Sequence, residues 1–485
     1  MRECKIIVKD EVNIKIEGLE LTERRTLMKK FEYEIPGARY LPAVKLGRWN
    51  GKVSYFSLAG STYINLLPEI IPVLEEAGYD IELVDLRQYT TNFQFNQVSE
   101  ETFKHKTWPK GHPVEGEPIV LRDYQIEIIN QFLANPQSVQ EVATGAGKTI
   151  MTAALSYSIE PYGRSIVIVP NKSLVTQTEA DYVNLGLDVG VYFGDRKDFG
   201  KKHTICTWQS LNNLLKNTKA GEADISIGEF LEDVVCVMVD EVHMAKADAL
   251  KSLLTGVMSH IPIRWGLTGT IPKADFERQS LFVSLGPVIN KLAASELQDK
   301  GVLAQCHVNI VQLLDGVEFT NYQSELKHLL EETKRLDKIA ELIAKINDTG
   351  NTLVLVDRIN AGNEILKRLP DAVFISGETK LTERKEEYDE VATSMDKIIV
   401  ATYGVASVGI NIPRIFNLVL IEPGKSFVRV IQSIGRGIRK AEDKDFVQIW
   451  DITSNCKFAK RHLTQRKTFY KEANYPFTLE KLDYK

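Results

Sequence analysis

Glu141–Ile150, EVATGAGKTI, decides the fold. In a loop of this composition small residues let backbone N–H groups curl around the β- and γ-phosphates of a nucleotide, a lysine reaches those phosphates, and a hydroxyl takes a magnesium ion. Thr144, Gly145, Ala146 and Gly147 supply the turn, Lys148 the charge and Thr149 the hydroxyl. The first position of G-x-x-x-x-G-K-[ST] is Val142 instead of glycine, so the strict pattern fails by one residue. Alone, the segment is a phosphate loop weighed against a chance Gly-rich turn.

The surroundings decide between those readings. SIVIVP at 165–170, HTICTW at 203–208, VVCVMVD at 234–240 and RWGLTGT at 264–270 are short β-branched runs separated by helix-length segments. That alternation predicts a doubly wound parallel sheet whose strands are buried on both faces. A second series begins near residue 305 and comprises NTLVLVD (351–357), AVFISG (372–377), KIIVATY (397–403), FNLVLIE (416–422) and DFVQIWD (445–451). Ahead of both, residues 1–90 read as a small α+β unit. CKIIVK and VNIKIEG are strand-like, Leu21–Tyr33 is helical, GRWNGKVSYFS reads as a hairpin, and LLPEIIPVLEEAGYDIELVD reads as a helix feeding a strand. Residues 91–118, with Pro109, Gly111, Pro113, Gly116 and Pro118, read as a linker.

VVCVMVDEVH at 234–243 is an apolar strand ending in two carboxylates. Asp240 suits magnesium, through water or directly, and Glu241 suits orienting and deprotonating an attacking water. Solvated acids capping a strand would be the bland reading, and the phosphate loop about ninety residues upstream tells against it. His243 is either a plain surface histidine or a relay. QSIGRGIRK at 432–440 puts Arg436 and Arg439 three apart, on one side of a helix. They read either as arginine fingers for a γ-phosphate or as a solvated basic face.

Taken in order, these segments resemble the motif series of superfamily 2 helicases over residues 119 to about 465. LRDYQ at 121–125 is similar to the adenine-reading Q motif, with Arg122 and Gln125 as contacts. ATGAGKT, IVIVPNKSLVTQ (166–177), TWQSL (207–211), DEVH, LTGT (267–270), LVLVDRINAG (353–362), ATYGVASVGINIP (401–413) and QSIGRGIRK follow in the family's order. DEVH and the opening QSIGR point to DNA-directed members, and the front segment is similar in pattern to recombination and branch-migration helicases of T-even bacteriophages. The resemblance implies two tandem RecA-like domains, at 119–303 and 304–456; residues 1–90 lie outside this motor, and recognition of the DNA substrate is expected of them. It implies ATP and Mg2+ as cofactors, with Lys148, Asp240, Glu241, Arg436 and Arg439 catalytic and Thr149 and Asp240 at the metal. Gly409 approaches the nucleotide, while His243, Thr268, Thr270 and Gln432 couple nucleotide state to domain closure. Pro170, Lys172, Thr207, Gln209, Arg358, Thr402 and Tyr403 are the implied nucleic-acid contacts. The implied function is an ATP-dependent helicase on forked or junction DNA in recombination, repair or replication. The alternatives are a double-strand translocase without unwinding, an ATP-gated binding module, or an RNA helicase.

Composition agrees with a soluble multidomain chain. The 485 residues carry a net charge of -5, so a polyanion must be held by a local groove and not by bulk attraction. Cys4, Cys206, Cys236, Cys306 and Cys456 lack paired C-x-x-C spacing and read as buried free thiols. The charged N-terminus is no signal peptide, and no run approaches the ~20 apolar residues of a membrane span, so a cytoplasmic protein is expected, in the host cytoplasm if phage-encoded. Residues 457–485 read as a basic tail. Lys457, Lys460, Arg461, Arg466, Lys467 and Lys471 occur there with Phe458, Phe469 and Tyr470 and without an acid up to 471. That run faces either DNA or the second domain. In the front domain Arg39, Lys45, Arg48 and Lys52, interleaved with Tyr40, Trp49 and Tyr55, are candidates for junction binding.

Overall fold

The computed structural model describes residues 2–88, 91–110, 114–241, 247–377, 379, 381–405, 414–424 and 444–484. Contacts divide the chain into two compact units, Met1–Val142 with Gly147–Lys291, and Ala143–Ala146 with Leu292–Lys485. Both larger sheets follow the doubly wound pattern expected from the sequence.

The front of the first unit is a sheet of β1 (Arg2–Val8), β2 (Asn13–Glu17), β5 (Ser61–Tyr63) and β6 (Tyr79–Asp85), in the order β5-β2-β1-β6. Alternation sets its inner face, since Cys4, Ile6 and Val8 of β1 are buried and their neighbours are not. That face packs on Leu27 of helix Leu21–Lys30, on Phe31 just beyond it, and on Ile70 and Leu74 of helix Leu67–Glu76, and the same cluster takes in Phe276 and Val283. The latter belong to helix Asp275–Leu285, beyond the LTGT segment. GRWNGKVSYFS is therefore not a hairpin. Only β4 (Lys52–Ser54) is strand, and it pairs antiparallel with β3 (Glu32–Glu34) from the other side of the Pro36–Gly51 lobe. Tyr55 is buried, its hydroxyl donating to the Phe276 carbonyl at 2.9 Å and lying 2.5 Å from Ser280 Oγ, which removes it from the exposed candidates.

Residues 91–118 are not a free linker. Val98 and Phe103 are buried, Phe93 and Phe95 pack on Tyr162, and Asn130 exchanges hydrogen bonds of 2.8 and 2.9 Å with the backbone of Val98. The aromatic residues, sparse among polar ones, strap the segment to the unit.

The main sheet of this unit contains β7 (Gln137–Val142), β8 (Arg164–Val169), β9 (Val189–Phe193), β10 (Arg196–Lys197), β11 (His203–Thr207), β12 (Val234–Asp240), β13 (Ile263–Thr268) and β14 (Val288–Leu292). Its order is β10-β9-β11-β8-β12-β13-β7-β14. The β-branched runs of β8 and β12 are buried almost throughout, as strands covered on both faces must be. β7 escapes a hydrophobic reading because it is QSVQEV. Its Gln140 is nevertheless buried, donating to the Ile128 carbonyl at 2.9 Å and accepting from Asn290 at 3.2 Å.

The second unit is a sheet of β15 (Gln305–Leu313), β16 (Thr352–Val356), β17 (Val373–Ile375), β18 (Ile398–Thr402), β19 (Asn417–Ile421), β20 (Phe446–Ser454) and β21 (Phe477–Leu482), ordered β17-β18-β16-β19-β20-β15-β21. Residues 457–485 are not a tail. Helix Lys457–Glu472 buries Ala459, Leu463, Arg466 and Tyr470, and β21 extends the sheet parallel to β15. Arg466 is lost to nucleic acid, because both its Nε and Nη2 donate to Asp451, at 2.8 and 2.9 Å, inside the core. Near it in the fold, Arg335 pairs with Glu422 and, at 3.2 Å, with Asp315, all three buried. All five cysteines are free and buried, as their spacing implied. No helix among the described residues is long and apolar enough to cross a membrane.

Candidate functional site

Parallel register brings the chemistry-bearing segments of the first unit to one edge. β7 pairs with β13, placing Glu141 beside Thr268, and β13 pairs with β12, placing Leu267 beside Asp240. The phosphate loop, the two carboxylates and LTGT thus leave neighbouring strands at their carboxyl ends, where open α/β sheets bind ligands.

At the loop, Gly147 has φ +83° and precedes helix Lys148–Ile159. A Cβ there would meet Gln125 Nε2 at 2.6 Å, so both the backbone conformation and the Gln125 amide demand glycine. Gln125 is buried, and its Oε1 accepts from the Arg122 N–H at 2.9 Å. The Q motif therefore abuts the phosphate loop. Arg122 is exposed, with Nη1 3.2 Å from the Tyr124 hydroxyl. Thr144 and Gly145 are half-buried and Ala146 is buried, its N–H donating to Ala143 O at 3.3 Å.

Glu241 is the hub. It adopts φ +52°, a left-handed conformation rare for a residue with a side chain and often found where function requires it. One carboxylate oxygen pairs with Lys148 Nζ, and the other accepts from the Gly269 N–H at 3.3 Å. One side chain thereby ties the phosphate loop to LTGT. Lys148 also reaches the Val142 carbonyl at 3.5 Å. Asp240 is buried, and its Oδ1 accepts from the Glu241 N–H at 2.9 Å. Burial pushes its carboxyl up to about 7, opposed by Lys148 and reinforced by the neighbouring Glu241 charge. Thr268 and Thr270 are both buried in a tight turn, with Thr268 Oγ1 donating to Thr270 O at 2.8 Å.

Asp181 was not foreseen. Its carboxylate accepts the Thr149 hydroxyl from within helix Lys172–Asn184, and burial raises its pKa against that hydrogen bond. A hydroxyl donating to a carboxylate keeps its lone pairs for a metal. No motif marks Asp181, and an acid within a helix, here beside Glu179 in TEAD, gives no sequence signal.

The expected nucleic-acid contacts divide. β8 pairs with β11, placing Val169 beside Thr207, so Pro170, Lys172 and Gln209 emerge together at the carboxyl edge, with Lys172 and Gln209 exposed and Pro170 half-buried. Thr207 is buried and caps helix Trp208–Ala220, accepting from the Ser210 N–H at 3.3 Å, which takes its hydroxyl out of the grip. In the second unit β16 pairs with β18, placing Val356 beside Thr402 and keeping exposed Arg358 and half-buried Thr402 on one edge. Tyr403 is core, its hydroxyl donating to Ile421 O at 3.2 Å. His243, Gly409, Gln432, Arg436 and Arg439 lie outside the described residues.

Comparison with known proteins gives the arrangement a family. Residues 118–273 match the model of the type III restriction enzyme res subunit, and residues 334–441 match the helicase conserved C-terminal domain. The ATP-dependent DNA helicase UvsW of Enterobacteria phage T4 is 25% identical over 467 residues, 92% of this chain and 89% of that one. The DNA 3'-5' helicase XPB of Kineococcus radiotolerans is 24% identical over 375 residues, 75% of this chain and 65% of that protein. Among solved structures, the ATP-dependent type ISP restriction-modification enzyme LlaBIII shares the fold, with a TM-score of 0.54 at 15% identity over 87% of this chain and 36% of that one. With the first model on the β7–β14 sheet and the second on the β15–β21 sheet, the chain carries in order the two helicase domains of superfamily 2 and resembles UvsW along nearly its whole length.

Proposed function

We propose that this chain is an ATP-dependent DNA helicase that acts on forked or branched DNA in recombination, repair or replication. The observation that carries the hydrolytic half is the Glu241 carboxylate, held between Lys148 and the Gly269 N–H. A pure nucleotide switch has no need of an acid poised there. The DNA helicase names of UvsW and XPB support the other half.

The geometry yields a sequence of events. A γ-phosphate competes with Glu241 for Lys148, and the released carboxylate is then available to orient a water and take its proton. Because Glu241 also holds Gly269, its displacement is felt in the Thr268–Thr270 turn. The Thr149 hydroxyl and the Asp240 carboxylate are hard oxygen donors that suit Mg2+. When bound, that ion neutralises charge on the β- and γ-phosphate oxygens. Arg436 and Arg439 are the finger residues in this reading, Gly409 meets the nucleotide, and His243 and Gln432 couple its state to closure.

Preference for branched DNA is assigned to the front lobe. From Ile35 to Pro68 there are four cations, Arg39, Lys45, Arg48 and Lys52, and no acid. Lys52 is partly spent on Glu32 at 3.6 Å. Tyr40 and Leu46 are 63% and 64% exposed, with the Arg39 guanidinium 4.8 Å from the Tyr40 ring centre. An exposed aromatic among cations can stack on an unpaired base while phosphates are held.

The test is an unwinding assay with ATP on a fork, a four-way junction, a plain duplex and an RNA duplex. Forks and junctions should be processed in preference to plain duplex, and RNA should not be processed. Tyr40→Ala with Arg39→Ala should reduce that preference and spare ATPase stimulated by plain duplex. Absence of DNA-stimulated ATPase in the unaltered protein would reject the helicase reading.

A further inference from the structure

Helix Lys457–Glu472 uses one stripe and leaves another open. Ala459, Leu463, Arg466 and Tyr470 form its buried stripe. Lys457, Lys460, Arg461, Lys467 and Lys471 are exposed or half-buried. At 3.6 residues per turn these five fall within a sector of about 120°, turned away from the buried one. At 1.5 Å per residue they extend over about 21 Å.

Their lack of acidic partners sets them apart. Elsewhere in this unit, helix cations are neutralised by carboxylates three or four residues away, as with Lys338 and Lys345 on Glu341, at 2.9 and 2.6 Å, and Lys367 on Glu364, at 2.5 Å. Among the described residues no carboxylate lies within 4.0 Å of any of the five. Lys457 and Arg461 each lie 5.8 Å from the Phe458 ring centre, which steadies them at the surface. On a chain of net charge -5, an unneutralised cationic line of this length is a local feature.

We propose that this stripe is a docking line for the phosphate backbone of duplex DNA, running back along the helix from the carboxyl edge of the sheet, where the helix follows β20. Duplex DNA carries one charge per about 1.7 Å of its axis with both strands counted, so a 21 Å length holds roughly a dozen phosphates, more than enough on the facing side for the five cations. Between the cations lie exposed Thr464 and Thr468, whose hydroxyls donate to the Lys460 and Thr464 carbonyls at 3.0 and 3.3 Å, so the cations alone supply donors for phosphate oxygens. Such a line confers no sequence preference, as suits a motor that meets any sequence. The inference rests on the DNA-helicase reading.

The experiment measures binding of fluorescent plain duplex DNA to the full chain, without nucleotide, across salt concentrations. Lys460→Gln, Lys467→Gln and Lys471→Gln together should lower the slope of log affinity against log salt by about 2 to 3 and weaken binding at least tenfold at about 0.15 M salt. The matched control is Lys338→Gln with Lys345→Gln and Lys367→Gln, which removes the same charge from paired positions and should leave the slope in place. ATPase without DNA and the melting temperature should be unchanged in both. Lys460→Gln alone, expected to lower the slope by about 0.9, covers instability of the triple variant. An unchanged slope in the stripe variant, or equal losses in both triples, overturns the inference and leaves the helicase reading standing. Failure of the unaltered chain to bind DNA or to respond to it in ATPase removes both.

Discussion

Two glutamates occupy equivalent places in the two units. Glu241 follows β12 and Glu422 follows β19, each one residue beyond the strand. Both are left-handed, at φ +52° and +43°, and each is paired with a cation from a helix. The partners behave differently. Lys148 is a single flexible amine whose other contact is a 3.5 Å approach to a carbonyl. Arg335 is locked further by Asp315 at 3.2 Å and by the Leu329 carbonyl at 2.7 Å, and Glu422 also accepts from Thr453 at 3.3 Å. The same backbone strain is thus poised for exchange in one unit and sealed into a closed network in the other.

The sharpest break of this comparison is kinetic. Lys148→Ala and Glu241→Gln should each lower ATP turnover by about 100-fold or more, with folding stability within about 1 kcal/mol of the original. Glu241→Gln should still bind a fluorescent ATP analogue. Turnover at the original rate in either variant would remove the hub from catalysis.

Next in size is Arg335→Leu, which strands Asp315 and Glu422 in the core and should cost about 3–5 kcal/mol in urea unfolding. A loss below about 1 kcal/mol would show that the second network is not closed.

Glycine at the two left-handed positions gives a smaller contrast, of degree. Glu241→Gly relieves a strain of order 1 kcal/mol but leaves Lys148 and the Gly269 N–H without their carboxylate, so the melting temperature should fall a little. Glu422→Gly relieves the same strain but takes a partner from Arg335, which is fully buried, and the melting temperature should fall further. Equal shifts would end the distinction.

The finest test is pH. Asp240 and Asp315 are both buried, but burial raises the first whereas Arg335, Ser454, Tyr484 and His328 together outweigh burial and hold the second below its usual value. A carboxylate lowered in the folded state contributes stability fully above its unfolded value of about 3.9 and loses it as pH falls through the folded value. The urea midpoint should therefore drop below pH 4, and Asp315→Asn, already weaker at neutral pH, should show a shallower acid drop. An identical acid limb in the two proteins would contradict this.

Much of the site was legible because phosphate chemistry restricts residue types. GKT, DE and LTGT announce themselves in one dimension, and parallel β-branched runs such as VVCVMVD place them at strand ends. Where polar side chains are buried by specific partners, the sequence is silent. QSVQEV hides β7 because Gln140 is satisfied only by residues far along the chain. Asp181 has no spacing rule to find it. Arg466 and Tyr403 carry surface or contact chemistry in sequence, and only the packed sheet shows them spent on Asp451 and Ile421. Phe103 was hidden among polar residues, so a packed strap read as a linker.

The seam between the front sheet and helix Asp275–Leu285 bears on chimeras. Tyr55 and Asn65 hydrogen-bond to the backbone of Phe276 and Phe282, at 2.9 and 2.8 Å, while Phe276 and Val283 fill the front core. A substrate-recognition module exchanged at residue 90 or 118 would arrive without its counterpart in that helix, and the new core would be mismatched. Hybrids between relatives are better joined near Lys291, where the first compact unit ends, so that the front sheet and the 275–285 helix are inherited as one piece.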